Sequence, residues 1–453
     1  MVTAKFKQII KRDGSKVPFT TGRITNAIYR AAVAVGGRDR GVAESLTSQV
    51  IEHLNSTVDS KIPSVENVQD AIEKILIEDG HARTSKAFIL YRDERNRKRS
   101  SRDDAGLSGP NQNDSIPWQK IWHVLNWAID HRVATVGQLN ERIAEGSYPD
   151  LVAECNEAYQ LDIATAAEEM LKRKDELKVV IVAGPSSSGK TTTTMKIAEH
   201  LQNEGFDFVP FHVDNYFFDL EAHPQDEFGD YDYETPQALD LELINQHLGD
   251  LIAGKEVTPP FFNFQTGNRE GLAEPMQIKP GQILLIDSLH GLYDPMTESV
   301  AKNAKFRLYI ETLLQMRGPD GNYIRWTDLR LNRRMTRDAR GRNMTPQATL
   351  EHWHYVRNSE LRHIVPFVNT VDYVVNGAFP YELPIWANRM LGEFAKWKEE
   401  YVGNAVRQDC LHRSERIYNW MSSVTPWEDE SIVPDNALLR EFIGGSIYEG
   451  DGH

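Results

Sequence analysis

Val179-Val180-Ile181-Val182-Ala183-Gly184-Pro185-Ser186-Ser187-Ser188-Gly189-Lys190-Thr191-Thr192 decides the reading of this chain. The five residues before Gly184 are apolar without alternation, as in a central strand covered on both faces. Gly184 to Thr191 fulfils the phosphate-loop pattern G-x-x-x-x-G-K-[ST] in its required context, after a strand and before a helical run. Backbone amides and a helix N-terminus offer a positive field to an anion. Gly184, Pro185, Ser186, Ser187, Ser188, Gly189, Lys190, Thr191 and Thr192 are therefore expected to hold ATP. Lys190 should reach the β- and γ-phosphates and Thr191 should ligate Mg²⁺. A chance Gly/Ser loop would not explain the strand and helix that flank it.

Working outward, further apolar runs occur at Phe208 to Val213, Ile283 to Ile286, Phe306 to Ile310 and Tyr373 to Val375, with helical segments between them. Alternation of this kind predicts a parallel sheet wrapped by helices, an α/β class. Asp287 ends one strand and is a candidate Mg²⁺ ligand; an ordinary strand-ending Asp is the alternative. Asp214 closes another strand, where a carboxylate can take the proton of an attacking hydroxyl; a plain turn former is the alternative. Arg330, Arg333, Arg334, Arg337, Arg340 and Arg342 crowd the stretch before Thr345-Pro346, a helix N-cap and first-turn pair. They read as a mobile arginine lid over the nucleotide, with Arg333 and Arg337 as catalytic candidates, or as a solvated basic face; about half are assigned to each. His352 and His354, two apart on a predicted helix, cannot share a metal.

The 453 residues carry a formal charge of −15, which disfavours nonspecific nucleic-acid binding. The charged run Arg92 to Arg102 includes Asp93 and Glu94 and reads as a solvated helix end. Two cysteines, Cys155 and Cys410, exclude a disulfide framework and fit a reducing compartment. No apolar run approaches the roughly 20 residues of a membrane span, and the first residues lack the apolar core of a signal peptide. A cytoplasmic protein is expected. Composition divides the chain into 1–99, a Ser/Gly/Asp/Asn linker 100–117, a helical segment 118–177, a core 178–380 and a helical extension 381–453. The first piece should open with a hairpin, Phe6 to Lys11 and Lys16 to Phe19, followed by four helices. Trp118, Trp122, Leu125 and Ile129 form one apolar stripe in the third piece, read as a packing layer.

Lys178 to Asn376 resembles the uridine kinase and phosphoribulokinase family of P-loop kinases. The residues that carry this are the phosphate loop, His212-Val213-Asp214-Asn215-Tyr216, Pro236 to Asp240, Pro260-Phe261-Phe262-Asn263-Phe264, the Asp287 strand and Arg333-Arg334-Met335-Thr336-Arg337-Asp338. The resemblance implies a five-stranded parallel sheet with a lid, Asp214 as the base, and Tyr216, Glu234, Phe262 and Arg269 at the acceptor. It also exposes departures: uridine kinases carry a Tyr where Phe262 stands and a pyrimidine-reading His where Gly267 stands, and Glu234 or Asp232 replaces their ribose-binding Asp. Phosphotransfer machinery is thus implied, but uridine as acceptor is not.

Val2 to Arg99 resembles the ATP-cone, a small α+β nucleotide-sensing domain, through Lys11-Arg12-Asp13-Gly14, Val17-Pro18-Phe19, Arg23-Ile24, Val65 to Asp70 and Ala87 to Arg92. The resemblance implies that Lys11, Arg12 and Arg23 contact the phosphates of an ATP- or dATP-type effector. The segment Val433 to Ser446 is similar to the tail of bacterial multidomain nucleoside-kinase-like proteins, and docking on the kinase is its expected role. The leading expectation is an ATP- and Mg²⁺-dependent kinase acting on a small hydroxyl acceptor, nucleoside or sugar-like, under adenine-nucleotide control and forming a homo-oligomer. The alternative is a regulatory ATP-binding or ATPase switch whose acceptor site has degenerated.

Overall fold

The computed structural model describes residues 4–10, 16–58, 62–89, 116–220, 235–263, 266–342, 344–404 and 407–448. Lys11, Arg12, Asp232, Glu234, Phe264, the 100–115 part of the linker and the run Arg92 to Arg102 lie outside them. Among the described residues no helix is long and apolar enough to cross a membrane. The chain forms two compact units, and the core segment 178–380 contributes to both.

The smaller unit begins with antiparallel strands β1 (Gln8–Ile10) and β2 (Lys16–Pro18), in register at Ile9 and Val17. Helices α1 (Thr21–Val33), α2 (Arg40–Thr57) and α3 (Val65–Glu78) follow. Their apolar faces are buried: Ile24 and Ile28, Ala43, Leu46, Val50 and Leu54, and Val68, Ile72 and Ile75 share one core. Ser64 starts α3 with a capping box to Asn67, which satisfies donors that a helix start otherwise leaves open.

The larger unit holds β3 (Val179–Ala183) at the centre of a five-stranded sheet of order β4-β7-β3-β8-β9. Its partners are β4 (Asp207–Pro210), β7 (Gln282–Ser288), β8 (Lys305–Glu311) and β9 (Tyr373–Asn376), every pairing parallel. The reading from apolar runs therefore holds, with one shift: β4 stops at Pro210, so Asp214 lies on the 3₁₀ turn Val213–Tyr216 rather than on the strand end. The Phe211 amide still donates to the Leu285 carbonyl on β7 at 2.9 Å, and the chain then turns away from the sheet.

Helices α4 (Trp118–Asp130), α5 (Val136–Ala144) and α6 (Tyr148–Leu171) precede the sheet. The apolar stripe on α4 is not packed as expected: Trp118, Trp122 and Ile129 are exposed, and Ala128 is the α4 residue that is buried. The packing is done by α6, whose Tyr159 hydroxyl meets Thr193 Oγ1 at 2.7 Å on α7 (Lys190–Gln202), and by Asp162, which accepts from Tyr373 and from the Asn376 amide on β9. Cys155 and Cys410 are both buried and unbridged, and burial pushes both thiols up.

After α8 (Leu241–Ile252) and β7–β8 come α9 (Trp326–Gly341), α10 (Pro346–His363), α11 (Glu382–Glu400), α12 (Gln408–Met421) and the short α13 (Arg440–Ile443). The extension 381–453 is less polar in its packing than its composition implies. Trp386, Trp397, Leu438, Leu439 and Phe442 join the same core as the sheet. Leu438, Leu439 and Phe442 each have no exposed surface. Burial of such side chains stabilises by ~1.5–3 kcal/mol each, so the tail is a fixed part of the fold.

Of the core, the described residues 217–220, 235–240, 261–263 and 266–271 belong to the smaller unit, with the N-terminal residues. There β5 (Pro260–Asn263) pairs with β6 (Asn268–Leu272).

Candidate functional site

The phosphate loop runs from the end of β3 to the start of α7. Its curl needs left-handed backbone at Ser187 (φ 60°) and Gly189 (φ 97°). A Cβ on Gly184 would stand 2.4 Å from the Ile310 carbonyl oxygen, so the neighbouring strand β8 demands that glycine. Lys190 opens α7 and its Nζ lies 3.5 Å from the Pro185 carbonyl. Ser187 Oγ and Ser188 Oγ are buried without a partner. Orphaned hydroxyls inside a glycine-containing curl at a helix N-terminus are suited to anionic oxygens. The loop thus fits the triphosphate of ATP.

Thr191 Oγ1 donates to Asp287 Oδ2 at 3.1 Å, bringing together the two residues expected to hold Mg²⁺. Hydroxyl, carboxylate and nucleotide phosphates are the hard oxygen donors that Mg²⁺ prefers. Burial, with Asp214 and Glu441 nearby, pushes the Asp287 carboxyl up to about 6, against the opposing pull of Lys190. Asp214, Lys190 and Asp287 therefore share one electrostatic site. Asp214 itself is exposed on its 3₁₀ turn. A pH dependence follows. If Asp287 holds Mg²⁺, a proton would compete with the metal there, so apparent Mg²⁺ affinity should fall about tenfold per pH unit below about 6 and be flat above it. Calorimetric Mg²⁺–nucleotide titrations between pH 5 and 8 would show this as one proton released per metal bound at low pH; a flat profile would contradict it.

Tyr216 is placed differently from the expectation that it touches the acceptor. It is fully buried, stacks on Phe211 and bonds His247 Nδ1 at 2.8 Å. It anchors the 3₁₀ turn that presents Asp214.

The arginine stretch divides into a buried set, Arg330, Arg333 and Arg334, and a solvated end, Arg340 and Arg342. It is the continuous helix α9, and Arg330, Arg333 and Arg334 are buried in it. Arg330 pairs with Glu311 and Glu360 and donates to the Ser186 carbonyl at 3.1 Å. Arg333 forms a two-pronged pair with Glu382, both bonds 2.8 Å, and donates to Gly377 O at 2.6 Å and Ser188 O at 3.4 Å. Arg334 donates to Ser186 Oγ at 2.8 Å and pairs with Asp338. Three guanidinium groups thus grip the back of the phosphate loop. Arg337 is half-buried beside Asp338, and Arg340 and Arg342 are exposed. The carboxylate partners Glu311, Glu360 and Glu382 carried no local sequence signal, because each pairs across the fold.

One more contact was not legible in the sequence. Glu441, on the C-terminal tail, accepts from the Thr192 amide at 3.2 Å and from its hydroxyl at 2.8 Å. Leu438 presses on Gly189, where a Cβ would stand 2.5 Å from Leu438 Cδ1.

In the smaller unit, Arg269 donates through Nε to Phe217 O at 2.7 Å and pairs with Asp240 at 3.2 Å. Phe262 is buried against Phe217. Gly267 is left-handed (φ 72°), and a Cβ there would meet Leu220 at 3.0 Å. Arg23 is exposed on α1.

The parallel sheet, the phosphate loop and the paired Thr191 and Asp287 are the marks of a P-loop kinase. Residues 179–379 match the model of the phosphoribulokinase / uridine kinase family. Residues 7–97 match the ATP cone domain. Two successive regions of the chain thus match the ATP cone and that kinase family. A uridine kinase of Deinococcus deserti is 26% identical over 198 residues, 44% of this chain and 86% of that protein. One from Chloroflexus aurantiacus is 28% identical over 202 residues, again 44% and 86%. Among solved structures, D-glycerate 3-kinase from Cryptococcus neoformans aligns with a TM-score of 0.32 at 12% identity, covering 46% of this chain and 89% of that one.

Proposed function

We propose that this chain is an ATP- and Mg²⁺-dependent kinase that transfers the γ-phosphoryl group to a hydroxyl of a nucleoside or sugar-like acceptor. The observation that carries the reading is the convergence of Lys190, Thr191, Asp287 and Asp214 in one electrostatic site. In this reading the amides and hydroxyls of Gly184 to Thr192 bind and orient the triphosphate, and Lys190 neutralises charge at its β- and γ-phosphates. Thr191 and Asp287 would hold Mg²⁺, which when bound supplies charge neutralisation on the phosphate oxygens. Asp214 takes the acceptor hydroxyl's proton. Arg330, Arg333 and Arg334 keep the loop in its binding shape, and Arg337 is the α9 arginine assigned to the nucleotide. The test is a γ-phosphate transfer screen over nucleosides and phosphosugars read by mass spectrometry. No product with any acceptor, together with acceptor-independent ATP hydrolysis, would favour the switch reading instead.

Uridine should be a poor acceptor in that screen. Gly267 offers no side chain to read a pyrimidine, and Leu220 occupies the space that a side chain there would need. Phe262 carries no hydroxyl. Losing a designed hydrogen-bond partner costs discrimination of up to about 10⁴-fold. Uridine turnover equal to that of the best acceptor would refute this.

We further propose that adenine nucleotide on the cone regulates the acceptor half of the kinase. Arg38, between α1 and α2, lies with its guanidinium 4.0 Å over the Phe218 ring, while Arg269 lies 5.0 Å from the same ring. Burial holds the Arg38 guanidinium below its usual range, with Asp240 opposing that shift. Phe218, Asp240 and Arg269 belong to kinase segments, so the cone is packed directly on them. Arg38→Ala should change the acceptor KM and its response to adenine nucleotide by roughly 5–150-fold, the usual span of allosteric coupling, with little change in KM for ATP. Unchanged nucleotide response would remove Arg38 from the coupling.

A further inference from the structure

The C-terminal tail puts a carboxylate where a nucleotide's phosphate has to go. In the phosphate-loop pattern the backbone N–H groups of the loop and of the first helical turn are the donors to phosphate. Thr192 is the third residue of α7, after Lys190 and Thr191. Both of its donors are already taken: its amide at 3.2 Å and its hydroxyl at 2.8 Å point to Glu441 Oε2. A carboxylate at this place benefits from the helix dipole just as a phosphate would.

The carboxylate is held there by the rest of the tail. Leu438 sits on Gly189, Phe442 lies 5.1 Å from the Arg333 guanidinium, and Arg340 donates to the Glu441 carbonyl at 3.3 Å. Farther along α7, the Tyr448 hydroxyl donates to Glu199 at 2.9 Å and its ring lies 5.2 Å from Lys196 Nζ. The tail therefore follows α7 from its first turn to its middle. With Leu438, Leu439 and Phe442 wholly buried, it does not leave as a unit when nucleotide arrives. The Glu441 side chain, held through its two bonds to Thr192, is the part of the tail that a nucleotide would have to turn aside. Its charge is felt by Asp287, and by Arg337, whose guanidinium burial holds below its usual range against the opposing pull of Asp338 and Glu441.

We propose that Glu441 is a built-in competitor for the nucleotide's phosphate at the phosphate loop, displaced toward Arg337 when nucleotide binds. This rests on the kinase-site reading of the loop but not on any acceptor. The competing anion weakens by one common factor the affinity of every phosphate ligand that must displace it, so weak ligands fall below working concentrations first. Di- and triphosphates are stronger ligands than monophosphates, because they engage Lys190 as well.

The test is calorimetric titration of the full chain with ADP, with Lys190→Ala as the background for binding elsewhere. Glu441→Gln keeps the shape and the acceptor oxygen but removes the charge. It should tighten ADP binding and AMP binding at the loop by the same factor, about tenfold, because both must displace the same carboxylate. Glu441→Asp, one methylene shorter, withdraws the carboxylate and should tighten ADP in the same direction. Unchanged or weaker ADP affinity in both variants, with normal thermal unfolding, would overturn the proposal and leave Glu441 as a helix cap only. If Lys190→Ala leaves all ADP binding intact, the loop is not the nucleotide site and the reading it rests on fails first.

Discussion

Asp214→Asn is expected to lower phosphoryl transfer by about 10²–10⁴-fold, the scale of losing a general base, while ATP affinity stays near wild type. The exposed Asp214 stands on a turn fixed by Tyr216, whose hydroxyl bonds His247. Asn fills the same volume on that anchored turn but cannot accept a proton. A second readout separates this role from a structural one. The Asp214 charge helps to push the Asp287 carboxyl up to about 6. Removing it should lower the pH at which protons compete with Mg²⁺, so metal binding improves at low pH while kcat collapses. Single-turnover transfer rates and Mg²⁺ titrations on one preparation would report both. Loss of rate together with weaker metal binding would assign Asp214 to the metal instead.

The sequence exposed the parts of this site that are local. The phosphate loop, the Asp287 strand and the apolar faces of α1 to α3 follow from spacing alone, because each is built from neighbours in the chain. The arginines of α9 show the limit of that reading. Six arginines in one stretch predict charge, but not where it points. Arg330, Arg333 and Arg334 turn inward because Glu360, Glu382 and Asp338 meet them there. Two of these partners come from other helices. Glu441 lies 249 residues from Thr192, inside an apolar stretch that looks like packing alone. Tyr216 shows the same limit: the resemblance puts it at the acceptor, and only the fold shows its hydroxyl bonded to His247.

Glu382→Gln should destabilise the chain by about 3–5 kcal/mol, the scale of leaving a buried charge without its partner. Glu382 and Arg333 have no exposed surface. Besides its two bonds to Arg333, Glu382 accepts from the Phe379 amide at 3.0 Å and the Trp386 indole at 3.0 Å. Gln can satisfy these donors in part but cannot balance the guanidinium. Loss of stability alone would not reveal what the pair is for, since apolar replacement of a buried pair is often neutral or better. The informative variant is therefore the double replacement Arg333→Met with Glu382→Leu. It should recover most of the stability measured by urea unfolding, because no charge is left buried. It should not recover nucleotide affinity. Arg333 is the tie between α9 and the carbonyls of Gly377 and Ser188, and Met cannot donate to either. A Cβ on Gly377 would stand 2.8 Å from the Ser188 carbonyl oxygen, so the two strand-end loops meet at this point and Arg333 holds both. Stability restored with ADP binding still weakened would show that the buried pair is kept to shape the phosphate loop. Both restored together would show that it contributes packing and nothing to the site.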